Sequence, residues 1–362
     1  MDNTPEIKFR GEVLSGRGEA KGFLEIDWVR EQCSNAAGFD PYPGTLNLKV
    51  DPATSSQIRR LAMSKGKRII PPPEAGDFCE ARLLPLIVNG ISGALVYPMV
   101  NDYYNDIIEF IAPVLLKEKG GIEDGSSLEA ILPPQQKLPR PSAVIFDLDG
   151  TLINSVDLYY SILCEGCLQL NEKPPAKDVF LESMGKGQGF WEGWAKITGN
   201  TPAGGNKREI KKQIMNIFED IWQQRYDQEV SLFSGVKEML LQLQARNVTI
   251  AVVTSSFYIN KMNIFRQVGL EPDQLFASVI TRNDTVQKKP HPEPINRCLK
   301  QLDIPPSRCI AVGDSPCDAV AAREAGVFTV GVLTGAGTVQ SLCKEGVDAV
   351  LDSAADLSEL IM

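Results

Sequence analysis

Two aspartates, Asp147 and Asp149, stand one residue apart where an apolar run ends, in AVIFDLDGTLINS (143–155). Further along, Thr254 and Ser255 close TIAVVTSS, Lys289 precedes the proline-rich turn of KKPHPEP, and Asp314 and Asp318 lie four apart in VGDSPCDAVAAREAG. The carboxylates are hard oxygen donors of the kind Mg²⁺ prefers. A cation and Lys289 would together neutralise a phosphate, so that anionic Asp147 can approach phosphorus. Thr254, with Ser255 beside it and a helix N-terminus behind, would donate hydrogen bonds to phosphate oxygens. Two carboxylates so close can divide the labour: one attacks, and its neighbour protonates the leaving oxygen and later activates water. A lone D-x-D or Asp-Gly-Thr is commonly a plain turn. The force of the reading lies in four such elements, in order, each at an expected strand end. The chain holds a single histidine, His291, so acid–base work falls to carboxylates, and His291 itself reads as a turn residue of the lysine loop.

These side chains need a frame. After residue 142 the pattern alternates, with buried strands expected at 143–147, 248–254, 278–281, 309–313 and 327–332. Helices are expected at 235–246, 257–268, 292–302 and 316–325. This is the signature of a doubly wound α/β parallel sheet, in which ligands bind beyond the carboxyl ends of the strands. Residues 156–232 break the rhythm. They read as a helical insert placed straight after the first strand, a cap over the site, within which Lys186 could reach a substrate and Trp191 and Trp194 read as packing.

Four prolines in the nine residues PPQQKLPRP (133–141) read as a stiff linker. Before it the pattern is mostly β. IKFRGEVLSG, GFLEI, TLNLKV, CEARLLPLIV, GALVYPM and EFIAPVLL are short and rich in β-branched or aromatic residues, with Asn89-Gly90 as a hairpin signal. A small closed all-β barrel is expected, with helices over 27–37 and 54–64. The Gly-rich stretch 14–23 could cradle phosphates with backbone N–H groups. In GFDPYPGTLNLKV (38–50), Thr45 and Asn47 lie two apart on one strand face and offer neutral oxygens to a cation or phosphate. The expected organisation is therefore a barrel at 1–132, a linker at 133–141 and an α/β domain at 142–362.

The larger part resembles the haloacid dehalogenase superfamily, a Rossmann-like fold, through DLDGT, VVTSS, KKPHP and VGDSPCD. The resemblance implies Asp147 as a nucleophile acting through an aspartyl-phosphate and Asp149 as general acid and base. It places Thr254, Ser255 and Lys289 on the phosphoryl group. It gives Mg²⁺ to Asp147, the Asp149 backbone carbonyl and Asp314, with Asp318 nearby. A cap between the first two motifs implies a small soluble phosphomonoester. The first part resembles the CTP-dependent riboflavin kinases, with a cradle-loop barrel, through GEVLSGRGEAKGFL, GFDPYPGTLNLKV and IIEFIAPVLLKEKGGIEDG. That implies CTP phosphates on Ser15, Gly16, Arg17, Gly18, Glu19 and Ala20, and a nucleotide flanked by Val114, Leu115, Leu116 and Lys117. It implies Mg²⁺ on Thr45 and Asn47, and flavin beside Asn101 and Glu109. Ala20 and Lys21 stand where that family is expected to carry Gly and Arg, and Asn101 where it commonly carries Thr.

The expected function is thus a bifunctional enzyme, in which CTP and riboflavin give FMN in the barrel and a phosphomonoester is hydrolysed in the α/β part. Its substrates are small molecules: riboflavin, CTP, and either 5-amino-6-(5-phospho-D-ribitylamino)uracil or FMN. The alternative is a phosphoglycolate or sugar-phosphate phosphatase whose barrel only senses flavin or nucleotide. The net charge of −9, with 14 basic and 19 acidic side chains in 1–132 and 21 and 27 in 142–362, leaves no basic domain to bind nucleic acid. No apolar run is long enough to span a bilayer and the first residues lack a signal peptide's apolar stretch, so no membrane partner and a cytoplasmic location are expected. The eight cysteines are then free thiols, and Cys164-x-x-Cys167 lacks the second pair a zinc site needs. Nothing in the sequence sets an oligomeric state.

Overall fold

The computed structural model describes residues 5–15, 19–76, 78–100, 106–116, 122–135, 138–169, 173–187, 216–218, 220–222, 224–226, 228–256 and 262–361. They form two compact units, 1–139 with 359–362, and 140–358.

The first unit carries β1 (Ile7–Leu14), α1 (Glu19–Leu24), α2 (Asp27–Ala37), β2 (Leu46–Lys49), α3 (Pro52–Lys65) and β3 (Lys67–Ile69). These are followed by β4 (Ala81–Val88), β5 (Ile91–Pro98), β6 (Ile107–Ile111) and β7 (Ser127–Leu132). The order β4-β5-β6-β2-β1-β7 closes through β4–β7 into a six-stranded antiparallel barrel, and short β3 adds to the side of β4. Alternation does the work. On β2, Leu46 and Leu48 turn inward, joining Val13, Leu84, Leu86, Phe110 and Leu132 in one core, while Asn47 turns outward. Asn89 and Gly90, both at positive φ, make the tight turn between β4 and β5, a two-residue geometry that matches strand twist. Asp51 starts α3 by accepting the Thr54 N–H at 2.9 Å, with Pro52 in the first turn.

Three features depart from the expected strand list, the first being short β3, which that list lacks. GFLEI is not a strand: 19–24 is helical and α2 begins at Asp27. Short apolar runs are ambiguous between the two states, and here tertiary packing decides. Leu24 is buried with Cys33, Ile69 and Leu83 in a cluster outside the barrel, and Phe23 meets Phe78 edge-on at 5.7 Å. SLEAIL, which closes the barrel as β7, was not among the expected strands, although its outward and inward residues alternate.

The second unit holds β8 (Ala143–Phe146), β9 (Thr249–Val253), β10 (Ser278–Ile280), β11 (Cys309–Gly313), β12 (Phe328–Val332) and β13 (Ala349–Leu351). The order is β10-β9-β8-β11-β12-β13, all parallel. Their near-continuous burial is the mark of strands covered on both faces. Between β8 and β9 the described residues include α4 (Val156–Gln169) and α5 (Lys177–Gly185) and further helical backbone between 216 and 229. Then come α6 (Val236–Ala245), α7 (Asn263–Gln267), α8 (Pro272–Leu275), α9 (Glu293–Leu302), α10 (Pro316–Glu324), α11 (Val339–Lys344) and α12 (Leu357–Leu360). The expected helix 257–268 is described only from residue 262 onward, and β13 and the last two helices lie beyond what was expected. The strand order reverses between β8 and β11, so the crevice outside their carboxyl ends is where a ligand belongs.

Candidate active sites

Asp147 follows β8 and Asp314 follows β11, the two strands at the reversal, and both side chains are buried. Asp318 is the third residue of α10. One of its oxygens accepts the Ser315 N–H and hydroxyl in a capping box, and the other faces Lys289. Lys289 Nζ lies 2.5 Å from Asp147 Oδ1, also donates to Asp318, and donates to the Val253 carbonyl at 2.9 Å. One ammonium is thus shared by two acids and a strand end. Burial works against its charge, but Asp147 and Asp318 outweigh that and raise its pKa above the ordinary lysine value. The loop that delivers it is tied down by Glu293, whose carboxylate accepts the Val286 and Gln287 N–H groups at 3.0 and 2.9 Å. His291 accepts the Glu293 N–H through Nδ1 at 3.1 Å, the turn role expected of it.

The acids sit in one place. Carboxylate oxygens of Asp147, Asp314 and Asp318 all lie within 4.8 Å of one another. Burial, with Asp314 and Asp318 nearby, pushes the Asp147 carboxyl well above its usual range in spite of Lys289. Burial and the charge of Asp318 push Asp314 up to about 7. One lysine does not balance three acids, and a divalent cation among hard oxygens would. The donor set therefore fits Mg²⁺.

Asp314 is held by groups absent from the sequence reading. Its Oδ1 accepts the Thr151 hydroxyl at 3.0 Å, its Oδ2 the Ala336 N–H at 2.8 Å, and its carbonyl the Gly337 N–H at 2.7 Å. Thr334 donates to the Gly150 carbonyl at 2.6 Å. Gly150 itself has φ +82°, and a Cβ there would lie 2.7 Å from Asp314 Oδ2, so the turn after Asp149 admits no side chain. The 334–337 turn carries backbone donors, and backbone N–H groups leave little trace in a sequence.

Asp149 is held by other side chains. Its Oδ1 accepts the Ser155 hydroxyl at 2.7 Å and the Tyr159 hydroxyl at 3.4 Å. Burial and the Asp149 charge push Tyr159 well above the ordinary phenol range, which keeps it a donor. Thr254 is buried at the end of β9, with its hydroxyl oxygen accepting the Ser256 N–H at 3.1 Å, and Ser255 is exposed beside it. Residues 257–261, where the helix start behind Thr254 was expected, lie outside the described residues. Lys186 does not turn inward. It pairs with Glu182 on the exposed face of α5. Trp191 and Trp194 lie outside the described residues.

In the barrel, Thr45 donates to Asn47 Oδ1 at 3.2 Å. Asn47 is directly opposite Glu109 on one side and Leu14 on the other, so three neighbouring strands bring Ser15, Asn47 and Glu109 to one region. The proline turn before Thr45 is pinned by the Tyr42 N–H on the Ala112 carbonyl at 2.8 Å. Ser15 bonds to Asp124, another residue the sequence reading did not pick out. Val114, Leu115 and Leu116 follow β6, and Leu116 is buried in the barrel core. Glu19 and Ala20 belong to the first turn of α1 and not to a loop. Helix α1 starts there because Leu24, one turn on, is drawn into the outer cluster. Gly16, Arg17, Gly18, Asn101 and Lys117 lie outside the described residues.

A family model described as haloacid dehalogenase-like hydrolase matches residues 144–332, and the chain belongs to that family. A second model, CTP-dep_RFKase, described as domain of unknown function DUF120, matches residues 13–131. A riboflavin kinase of Archaeoglobus fulgidus is 39% identical over 36% of this chain, which spans 56% of that relative's length. A riboflavin kinase of Ignicoccus hospitalis is 36% identical over 35% of this chain and 71% of its own. A phosphoglycolate phosphatase of Colwellia psychrerythraea is 31% identical over 55% of this chain and 87% of its own. The solved structure of a haloacid dehalogenase-like hydrolase from Bacteroides fragilis overlays 60% of this chain and all of its own with TM-score 0.53 at 22% identity, a likeness of fold. The chain is thus a fusion of a riboflavin-kinase-type barrel with a hydrolase of the haloacid dehalogenase type. Among the described residues no helix is long and apolar enough to cross a membrane.

Proposed function

We propose that this chain makes FMN from riboflavin with CTP in the barrel and hydrolyses a small phosphomonoester in the α/β part. The observation that carries the hydrolase half is the cluster of Asp147, Lys289, Asp314 and Asp318 at the strand reversal, with Asp149 two residues from the attacking group. Asp147 attacks phosphorus, and the bond to the leaving oxygen breaks with its electron pair on that oxygen. Asp149 supplies the proton. Asp149 then takes a proton from the water that attacks the aspartyl-phosphate, releasing phosphate and restoring Asp147. Lys289, Thr254 and Ser255 bind the phosphoryl oxygens. Asp147, the Asp149 carbonyl and Asp314 would hold Mg²⁺, with Asp318 positioning Lys289. The cation, when bound, supplies neutralising charge at the phosphoryl group.

In the barrel, residues 15–20 and 114–117 take CTP, Thr45 and Asn47 a Mg²⁺, and Asn101 and Glu109 the flavin. Such a kinase acts by positioning and charge neutralisation. The working division is barrel 1–132, linker 133–141 and hydrolase 142–362 with its insert as cap, in a cytoplasmic enzyme with small-molecule partners. Hydrolysis of FMN would undo the kinase's own product, which favours the phosphorylated ribitylaminouracil, upstream of riboflavin, as substrate.

The test is phosphate release by the full chain, with kcat/KM compared for the ribitylaminouracil phosphate, FMN and phosphoglycolate. Asp147→Asn is expected to lose roughly 10³-fold or more in kcat, as for loss of a nucleophile. Turnover at the wild-type rate would overturn the assignment. A second reading, a phosphoglycolate phosphatase with a ligand-sensing barrel, is favoured by the likeness to the Colwellia enzyme over most of its length. Riboflavin and CTP binding without FMN production, together with a preference for phosphoglycolate, would select it.

A further inference from the structure

The general acid of the proposed reaction has a neighbour that the four motifs do not include. Asp149 Oδ1 accepts two hydroxyls, Ser155 at 2.7 Å and Tyr159 at 3.4 Å, and both donors lie at the start of the insert, Tyr159 in the first turn of α4. Tyr159 is not free to swing. Its ring stacks on Trp222 with centroids 4.6 Å apart and planes at 24°, and Trp222 in turn packs on Tyr226 at 4.6 Å. The phenol also meets the side chain of Ser256, just beyond Thr254. A side chain clamped on its face by an aromatic stack, with its hydroxyl against a catalytic carboxylate, is placed rather than merely packed.

We propose that Tyr159 is a positioning residue for Asp149. Together with Ser155 it binds Oδ1 and so fixes the orientation of the carboxyl that delivers a proton to the leaving oxygen of the ester. The inference rests on reading the site as a phosphomonoesterase. In the step it serves, the phosphorus–oxygen bond breaks, the electron pair stays on the leaving oxygen, and the proton of the Asp149 carboxyl passes to it. Tyr159 exchanges no proton in that step. Its worth is geometric, and so it must show where proton delivery matters and vanish where it does not.

That distinction gives the experiment. Phosphate release by the full chain with Mg²⁺ is measured on 4-nitrophenyl phosphate, whose leaving group departs without a proton, on phenyl phosphate, and on an alkyl phosphate, whose leaving group needs one. Tyr159→Phe keeps the ring and its stack and removes the hydroxyl. The expected result is a kcat/KM, which reports the steps up to departure of the leaving group, roughly tenfold lower on the alkyl ester, within the range of general-acid effects, and less than about twofold lower on the nitrophenyl ester. An equal loss on all three esters, or no loss on any, overturns the proposal. Should Tyr159→Phe disturb the fold, Ser155→Ala removes the other hydroxyl from the same oxygen without touching the stack. It is expected to show the same leaving-group dependence, and a uniform effect there overturns the proposal equally. A wild-type chain inactive on every ester would overturn the phosphomonoesterase reading itself, and the proposal with it.

Discussion

At the scale of single residues, the hydrolase site is governed by burial of charge. Asp314, pushed up to about 7 by burial and by Asp318, holds a proton at pH values where a free aspartate has lost it. A cation must displace that proton. Mg²⁺ affinity, measured by calorimetry on the full chain, is therefore expected to rise up to about tenfold per pH unit below neutrality and to level off above it. The stability of the cation-free protein runs the other way. A carboxyl whose folded pKa is raised stabilises the fold fully below its unfolded value, and the contribution is lost as pH rises through the folded value. Protein treated with chelator should be less stable to urea at pH 8 than at pH 5 on account of this group, and added Mg²⁺ should remove the difference. A chelated protein whose stability ignores pH across that window would contradict this picture.

Among the elements, the loop that bears Lys289 is the most exposed to test. Glu293 holds it through the Gln287 and Val286 N–H groups, and those bonds keep the Glu293 carboxyl below the ordinary glutamate range. A lowered folded pKa contributes above the unfolded value and is lost as pH falls through the folded one, so the loop stays tied at neutral pH. Glu293→Ala should speed hydrogen exchange at residues 286 and 287 at neutral pH. It should lower kcat by roughly 10- to 100-fold through displacement of Lys289, with the melting of the parallel sheet little changed. Unaltered exchange would sink it. The same elements show what the sequence could and could not disclose. Asp147 and Asp314 were legible because each ends a buried apolar strand, a pattern of residue type and position. The turn of Thr334 to Gly337 was not, since what it supplies to Asp314 is two main-chain N–H groups. Helix α1 was misread because Phe23, Leu24 and Ile26 suit a strand as well as a helix, and only the cluster around Leu24 decides. Ser155 and Tyr159 escaped because their importance lies in pointing at Asp149, which spacing alone does not reveal.

For the molecule as a whole, each unit has its own core. The barrel closes on Phe110, which is fully buried, and the parallel sheet on a separate cluster that includes Ile145 and Val253. Two unfolding transitions are expected in calorimetry. Phe110→Ala should lower the barrel's stability by about 3–5 kcal/mol and leave the other transition in place. Riboflavin with CTP at a hundredfold over its dissociation constant should add about 2.7 kcal/mol to the barrel alone. A single cooperative transition that moves with either change would refute this independence.

Gly187 closes α5 at φ +63°, and a Cβ on it would come within 2.8 Å of Cys317 Sγ and 3.1 Å of the Lys289 carbonyl. The missing carbon is what lets the end of α5 pack directly against the loop that bears Lys289 and against Cys317 of α10. Gly187→Ala would act as a doorstop and leave the mouth ajar. Such an enzyme should lose its sense of size: bulky esters would gain ground on the smallest one, as competition between a short-chain and a long-chain phosphate in one vessel would record.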